Sequence, residues 1–180
     1  FFDGDRKHRY GRFNYKSRFW KTAIPTMKDY WDLTAGNSVV DVCCAKGFML
    51  HDLVEEIDGI KVSGVDVSEY AIENSMNSVK KHLIVTDAKK LPFLDNSFDI
   101  VISINTIHNL PPDDCKQALK EIERVSKKHS FITVDAYRTE EEKIRMFDWN
   151  LTAKTILSVD EWKEMFNETG YTGDYFWFIP

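Results

Sequence analysis

The sequence predicts a doubly wound α/β fold, in which helices cover both faces of a parallel β-sheet. Two observations lead to this prediction. Short apolar, β-branched runs alternate with amphipathic segments along most of the 180 residues. One run, from Phe98 to Ile104, is apolar on both sides, as expected for a strand in the middle of a covered parallel sheet.

The individual elements follow from the periodicity and from the residues that start and stop helices. An irregular arm over 1–17 leads into an amphipathic helix over 18–34, which we expect Pro25 to break. Ser68 is placed to cap one helix and Gly170 to end another. The remaining strands are expected at 39–42, 60–67, 82–86, 131–135 and 175–179, and the remaining helices at 48–57, 111–128, 137–157 and 158–168.

Size and composition limit the class of protein. Hydrophobic residues make up 43% and charged residues 29% of the chain, which is typical of one globular domain. No apolar run approaches the roughly 18–20 residues of a membrane helix, so we expect a cytoplasmic protein. The three cysteines form neither a disulfide framework nor metal-ligand spacing, so we expect reduced thiols and no metal.

Charge is unevenly distributed along the chain. The formal net charge is −5, yet residues 1–28 hold eight lysines and arginines against two aspartates. Aromatic residues are interspersed with these basic side chains. Such a segment could bind an anionic partner or close over a site, while the acidic remainder argues against nucleic acid.

The strongest functional pattern lies between Ser38 and Ser68. The predicted strand 39–42 is followed by a turn of small residues, Cys43, Ala45 and Gly47, and the next strand ends in Asp66. Small residues let the backbone turn sharply and approach a ligand, and an acid about twenty residues on can accept hydrogen bonds from ribose hydroxyls. The spacing therefore predicts a nucleoside site, without the Gly-x-Gly-x-x-Gly of a dinucleotide site.

Four motifs in order, within residues 38–135, resemble those of class I S-adenosylmethionine-dependent methyltransferases. The first motif consists of Asp41, the turn of small residues and Asp66. It is followed by Thr86-Asp87-Ala88, by Leu91-Pro92-Phe93 and by Asn96 to Ser103, which leads into the fourth strand. The resemblance implies a Rossmann-like doubly wound sheet of strand order 3-2-1-4-5 with a C-terminal pair of strands. It also implies S-adenosylmethionine as cofactor and S-adenosylhomocysteine as product.

By this resemblance, cofactor-binding residues are expected in the turn, at the ends of three strands and at the adenine edge. They are Asp41, Cys43, Ala45, Gly47, Asp66, Val67, Asp87, Ala88 and Asn105. Cys43 and Ala45 stand where the family has glycines. Both are small, so we expect weakened or adjusted cofactor binding rather than its loss.

The segment from Asn105 to Leu110 follows the fourth strand, where the family places the transferring methyl group and the acceptor. His108 could remove a proton from an acceptor hydroxyl or amine, and Asp135 could orient such a base or bind an acceptor hydroxyl. The alternative is a histidine that only forms structural hydrogen bonds.

Residues 1–34 form a basic and aromatic segment ahead of a cofactor-binding domain at 35–180. As a lid, the segment would place Tyr10 and Tyr15 over the methionine end of the cofactor, while Arg9 and Arg12 meet an anionic acceptor. The alternative is a solvated basic arm.

These expectations combine into methyl transfer from S-adenosylmethionine to a small molecule on oxygen or nitrogen. One alternative is an RNA or protein methyltransferase that docks through the basic segment. Another is a binding or scaffold protein that keeps the fold without the chemistry, which the replaced glycines leave open.

Overall fold

A computed structural model describes residues 14–180 of the chain. The helices are α1 Ser17–Trp31, α2 Phe48–Glu56, α3 Glu69–Glu73, α4 Pro112–Val125, α5 Glu140–Trp149 and α6 Val159–Thr169. The strands are β1 Ser38–Val42, β2 Lys61–Asp66, β3 Leu83–Val85, β4 Phe98–Ile104, β5 Ser126–Tyr137, β6 Leu157–Ser158 and β7 Asp174–Phe178. Two short 3₁₀ turns lie at Lys80–His82 and Ile107–Asn109.

The strands form one sheet in the order β3-β2-β1-β4-β5-β6, with β7 paired to β5. Every pairing is parallel. The predicted order 3-2-1-4-5 is therefore confirmed. Because parallel strands all end at one edge, the segments that follow β1, β2 and β4 meet there, which is where doubly wound sheets bind ligands.

Two apolar cores hold the helices against the sheet, one on each face. Alternate residues of β1 show the division, since Val39 contributes to the core under α1 and α2 whereas Val40 contributes to the core under α4 and α6. Each face is covered, as the continuous apolar character of β4 predicts.

The predicted break at Pro25 is wrong, because α1 continues through the proline from Ser17 to Trp31. A proline inside a helix removes one hydrogen bond and costs about 3 kcal/mol or more. Ile24 and Trp31 are both buried on the side of α1 that faces the sheet. Burial of this apolar side offsets the missing bond, which local sequence signals do not report.

Three boundaries also differ from prediction. Helix α4 ends at Val125, and β5 begins at Ser126 instead of residue 131, because Ser126 pairs with Phe98 on β4. The predicted helix at 137–157 covers only Glu140–Trp149. Both β7 and the two-residue strand β6 pair in parallel with β5. The two expected C-terminal strands are therefore present, but each pairs with β5 and, within residues 14–180, they do not pair with each other.

Among residues 14–180, no helix is long and apolar enough to cross a membrane.

Candidate functional site

The turn after β1 takes the backbone conformation that glycine favours at alternate positions. Cys43, Ala45 and Gly47 have φ values of 69°, 49° and 70°. The backbone N–H groups of Cys43 and Cys44 both donate to the carbonyl oxygen of Val65 on β2, at 2.8 and 2.9 Å. The two non-glycine residues thus adopt a turn for which glycine is the usual choice, and their small side chains leave the cavity above it open.

Gly47 ends the turn and starts α2 in a confined space. A Cβ atom added there would lie 3.0 Å from Cγ2 of Val79 and 3.1 Å from Cδ1 of Leu83. Together with the positive φ, this close packing explains why glycine is kept at 47 while 43 and 45 tolerate other small residues.

Asp66, at the end of β2, organises the turn through both carboxylate oxygens. Oδ2 accepts a hydrogen bond from the Ala45 N–H at 2.8 Å, and Oδ1 accepts one from the Ser68 N–H at 2.8 Å. Burial raises the pKa of Asp66, and the two backbone donors counteract that rise. Each oxygen retains capacity for a further donor, such as a ribose hydroxyl.

Asp41, in β1, is 6% exposed and lines the cavity above the turn. None of the hydrogen bonds found within residues 14–180 reaches its carboxylate. Burial, reinforced by the negative charge of Asp66, raises the pKa of Asp41 to about 8. A buried carboxylate without a partner is unfavourable, so this position is suited to receive a positively charged ligand group.

A cavity of about 780 Å³ lies over the carboxyl edge of the sheet. Its volume is within the range of roughly 300–1,000 Å³ that is typical of small-molecule sites. It is lined by Trp20, Asp41, Cys43, Cys44, Ala45, Phe48, Met49, Asp66, Ile104, Asn105, Thr106, Asn109, Leu151, Thr152 and Lys154. The cavity therefore brings together five predicted cofactor residues: Asp41, Cys43, Ala45, Asp66 and Asn105.

Asn105, the first residue after β4, is held at the cavity wall by hydrogen bonds to Thr133 on β5. Its φ is 53°, and its N–H donates to Oγ1 of Thr133 on β5 at 2.8 Å. The Thr133 hydroxyl in turn donates to Oδ1 of Asn105 at 2.6 Å. These bonds hold the first residue after the strand at the cavity wall.

Other predicted cofactor residues lie outside the cavity lining. Val67 is 73% exposed, and Ala88 is buried in the core under α4. Oδ1 of Asp87 accepts a bond from the Lys89 N–H at 2.9 Å, and Gly47 packs against Val79 and Leu83. Their assignment as cofactor residues stays a prediction.

Tyr15 contacts α2 rather than the cavity. Its hydroxyl donates to Oδ1 of Asp52, and its ring meets the rings of Phe48 and His51 edge-on at 5.7 and 5.1 Å. Tyr10, predicted beside it, lies outside the described residues, as do Arg9 and Arg12. The lid role of the segment stays a prediction.

His108 and Asp135 form a buried pair with each other and do not line the cavity. Nε2 of His108 lies 3.3 Å from Oδ2 of Asp135, and the two residues are 4% and 2% exposed. The Asp135 N–H lies 3.4 Å from Nδ1 of His108. Asp135 therefore contacts His108 as an orienting carboxylate would, but neither side chain is part of the cavity lining. The catalytic role of the two residues stays a prediction.

The backbone of His108 instead anchors the segment that follows α5. The N–H groups of Lys154 and Thr155 donate to its carbonyl oxygen at 3.0 and 2.9 Å. The Thr155 hydroxyl donates to the Leu110 carbonyl at 2.7 Å, and Thr152 Oγ1 donates to Asn109 Oδ1 at 2.8 Å. This segment thereby becomes a wall of the cavity.

Several residues of the cavity wall were not among the predicted site residues, and they differ in how much signal the sequence carries for them. Trp20 belongs to the aromatic segment that the sequence singles out, and Phe48 follows Gly47 directly, so both carried a signal. Leu151, Thr152 and Lys154 lie in a loop whose place depends on the His108 carbonyl, and no local pattern marks them. Among the described residues, no group of three or more His, Cys, Asp or Glu side chains could hold a metal ion.

A parallel sheet with a ligand cavity at its carboxyl edge, a turn of small residues and a strand-end acid defines a nucleoside-binding α/β protein. A family model described as a methyltransferase domain matches residues 39–129, which is just over half of the chain. The chain belongs to this family, the class I S-adenosylmethionine-dependent methyltransferases.

Individual relatives are consistent with this membership. An uncharacterised protein of Haemophilus influenzae is 30% identical, over 88% of this chain and 70% of its own length. A demethylmenaquinone methyltransferase of Staphylococcus aureus is 37% identical over 61% of this chain, which spans 46% of that relative.

One solved structure is the complex between the Haloferax volcanii Trm112 methyltransferase activator and a methyltransferase. It matches with a TM-score of 0.68 and 26% identity, covering 86% of this chain and 69% of the other.

Proposed function

We propose that this protein binds S-adenosylmethionine in the cavity and transfers its methyl group to a small molecule, on oxygen or nitrogen. One observation carries the proposal: the buried Asp41 lines the cavity directly beside the turn of small residues, and no hydrogen bond within residues 14–180 reaches its carboxylate. The cofactor is cationic at both its sulfonium and its ammonium group. Its binding would supply the positive charge that this carboxylate lacks.

The nucleoside half is assigned to Asp66. Both of its oxygens already hold backbone N–H groups of the turn and of the following helix, so their orientation is fixed before a ligand arrives. The remaining lone pairs would accept the two ribose hydroxyls. Val67, Asp87 and Ala88 follow as the proposed adenine edge.

The methionine half is assigned to Asp41 and to the turn. Asp41 would accept from the α-ammonium group, while the small side chains of Cys43 and Ala45 let the ligand lie against the backbone. Asn105, fixed by Thr133, would contact the same half of the cofactor. The residues present therefore fit the cofactor that the family uses.

When bound, the cofactor supplies a methyl group already activated by its sulfonium. The chain's residues then have to bind the two reactants in line and exclude water. The cavity lining that residues 14–180 supply includes no histidine. We therefore propose an acceptor atom that loses its proton easily or carries none, rather than one deprotonated by His108.

Calorimetric titration with S-adenosylmethionine and S-adenosylhomocysteine tests the cofactor assignment. We expect micromolar binding of both, and loss of at least about tenfold in affinity for Asp66→Ala, since a charged acceptor contributes about 1.5–3 kcal/mol. Asp113→Ala, in the first turn of α4, is the matched control and should bind normally. Folded wild-type protein that binds neither ligand contradicts the proposal.

A further inference from the structure

The part of the cavity away from the turn has its own chemistry. We call it the outer wall, and it consists of Trp20, Phe48, Asn109, Leu151, Thr152 and Lys154. These residues come from α1, from the start of α2, from the 3₁₀ turn after β4 and from the segment after α5. None of them belongs to the turn or the strand-end acids assigned to the cofactor.

Hydrogen bonds to the 3₁₀ turn after β4 hold part of the outer wall in place. The backbone of Lys154 donates to the His108 carbonyl at 3.0 Å, and Thr152 donates to Asn109 at 2.8 Å. Behind the wall, the side chain of His108 is buried against Asp135. The wall is thus attached to the ends of β4 and β5, which gives it a defined shape before an acceptor binds.

The outer wall combines apolar surface with one positive charge. Trp20, Phe48 and Leu151 offer two aromatic rings and a branched aliphatic chain. Among residues 14–180, Lys154 is the only basic residue that lines the cavity, and the two acids that line it, Asp41 and Asp66, belong to the cofactor half. In the part of the chain that the structure describes, no carboxylate forms an ion pair with Lys154.

We propose that the outer wall binds an apolar, ring-containing acceptor that carries an anionic group. The ring lies against Trp20, Phe48 and Leu151, and the anion pairs with Lys154. This assignment of the acceptor class rests on the proposed function. The physical reason is that aromatic walls favour flat apolar molecules, while the exposed ammonium group of Lys154 at the rim favours a negative charge.

The test uses two probes that share a ring system and differ in charge: 2-naphthoate and the neutral 2-naphthamide. Both are titrated into the intact protein saturated with S-adenosylhomocysteine. We expect 2-naphthoate to bind about fivefold more tightly, the upper limit for a partly exposed ion pair. Lys154→Met should abolish this preference and leave the affinity for S-adenosylhomocysteine unchanged within twofold.

Two further variants separate the contributions of charge and apolar surface. Lys120→Met removes an exposed lysine of α4, away from the cavity, and should keep the preference for the anion. Leu151→Ala should weaken both probes by the same factor, about threefold to fivefold, because it removes apolar contact only.

Three results would overturn the proposal: no binding of 2-naphthoate at millimolar concentration, equal affinity for the two probes, or a preference that survives Lys154→Met. Weakened binding of S-adenosylhomocysteine by Lys154→Met would also overturn it, since Lys154 would then hold the cofactor's carboxylate. If the wild-type protein fails to bind S-adenosylhomocysteine, the proposed function itself is wrong, and that result is read before any probe is added.

Discussion

Nε2 of His108 lies 3.3 Å from Oδ2 of Asp135, and this buried pair joins the turn after β4 to the end of β5. With Nδ1 facing the Asp135 N–H, the ring proton belongs on Nε2, where it is donated to the carboxylate. The His108 carbonyl carries Lys154 and Thr155. The pair therefore positions a wall of the cavity, although neither side chain is part of the lining.

The pair predicts an unusual pH dependence of stability. Burial lowers the pKa of His108 to about 4 and raises that of Asp135 to about 6. Near pH 5 the pair binds one titratable proton in the folded and in the unfolded protein. In the folded protein this proton is on Asp135, and in the unfolded protein it is on His108. Because the proton count is unchanged, the pair contributes almost no slope between pH 4 and 6.

Asp135 and His108 contribute opposite pH dependences to the free energy of unfolding, and single variants separate them. In His108→Gln, the folded Asp135 binds more protons than the unfolded one, so the free energy of unfolding falls as pH rises from 4 to 6. In Asp135→Asn, the unfolded His108 binds more protons, so this free energy rises from pH 4 to 6.5. Each slope reaches at most about 1.4 kcal/mol per pH unit. Urea unfolding at pH 4, 5 and 6 measures them, and slopes equal to that of the wild type refute the pairing.

In the turn after β1, we expect replacement of alanine by glycine not to lower stability, in contrast to the same replacement in a helix. Ala45 has a φ of 49°, which costs a residue with a Cβ on the order of 1 kcal/mol. Ala45→Gly removes that cost and loses about as much in chain entropy, so we expect no change or a gain of up to about 1 kcal/mol. Ala118→Gly, in the middle of α4, should instead lose about 1 kcal/mol or more.

The same variant addresses whether the replaced glycines weaken cofactor binding. Since Cys43 and Ala45 already adopt the glycine conformation, Ala45→Gly and Cys43→Gly should change the affinity for S-adenosylhomocysteine by less than about threefold. Chemical unfolding and calorimetry read out the two effects. A loss of stability in Ala45→Gly as large as that in Ala118→Gly would show that the turn is not strained.

Tyr15 connects the start of α1 to α2 through Asp52, whose second oxygen has no hydrogen-bond partner among residues 14–180. Tyr15→Phe removes this hydroxyl while keeping the ring contacts with Phe48 and His51. We expect faster tryptic cleavage after Lys16 and Arg18, because the chain there opens more often once the bond is lost.

Tyr30→Phe is the matched control for this experiment. It removes a hydroxyl from the other end of α1, where Tyr30 donates to Asp174 at 3.2 Å. Cleavage after Lys16 and Arg18 should keep its wild-type rate in that variant. If the two variants are cleaved equally fast, the Tyr15–Asp52 bond does not hold the segment.

Asp41 predicts that cofactor binding depends on pH. Burial and the neighbouring charge of Asp66 raise its pKa to about 8, so most molecules carry a proton there at pH 6. An ammonium group pairs with the ionised form only, and binding therefore releases a proton. The affinity for S-adenosylhomocysteine should rise by up to tenfold per pH unit between pH 6 and 7.5, and Asp41→Asn should remove the dependence.

Much of the fold could be predicted because its signals are local. The turn 43–47 and Asp66 lie within a single βαβ unit, so their spacing in sequence fixes their relation in space. The strand order came from the resemblance to a family, since residues within a strand do not specify their neighbours.

What could not be predicted depends on tertiary contacts. Pro25 suggested a break that the burial of Ile24 and Trp31 prevents. His108 follows β4 as a catalytic residue would, yet its ring turns toward Asp135. Lys154 reaches the cavity through a bond to a carbonyl 46 residues away in the chain.

The central claim is that the cavity binds the methionine half of the cofactor through Asp41. The most direct test compares S-adenosylhomocysteine with 5′-methylthioadenosine, which lacks the amino-acid group, by calorimetry at pH 7.5. We predict that the wild type binds S-adenosylhomocysteine at least about tenfold more tightly, and that Asp41→Asn binds the two ligands alike because only the first loses affinity. Equal binding by the wild type, or a preference that Asp41→Asn retains, contradicts the account.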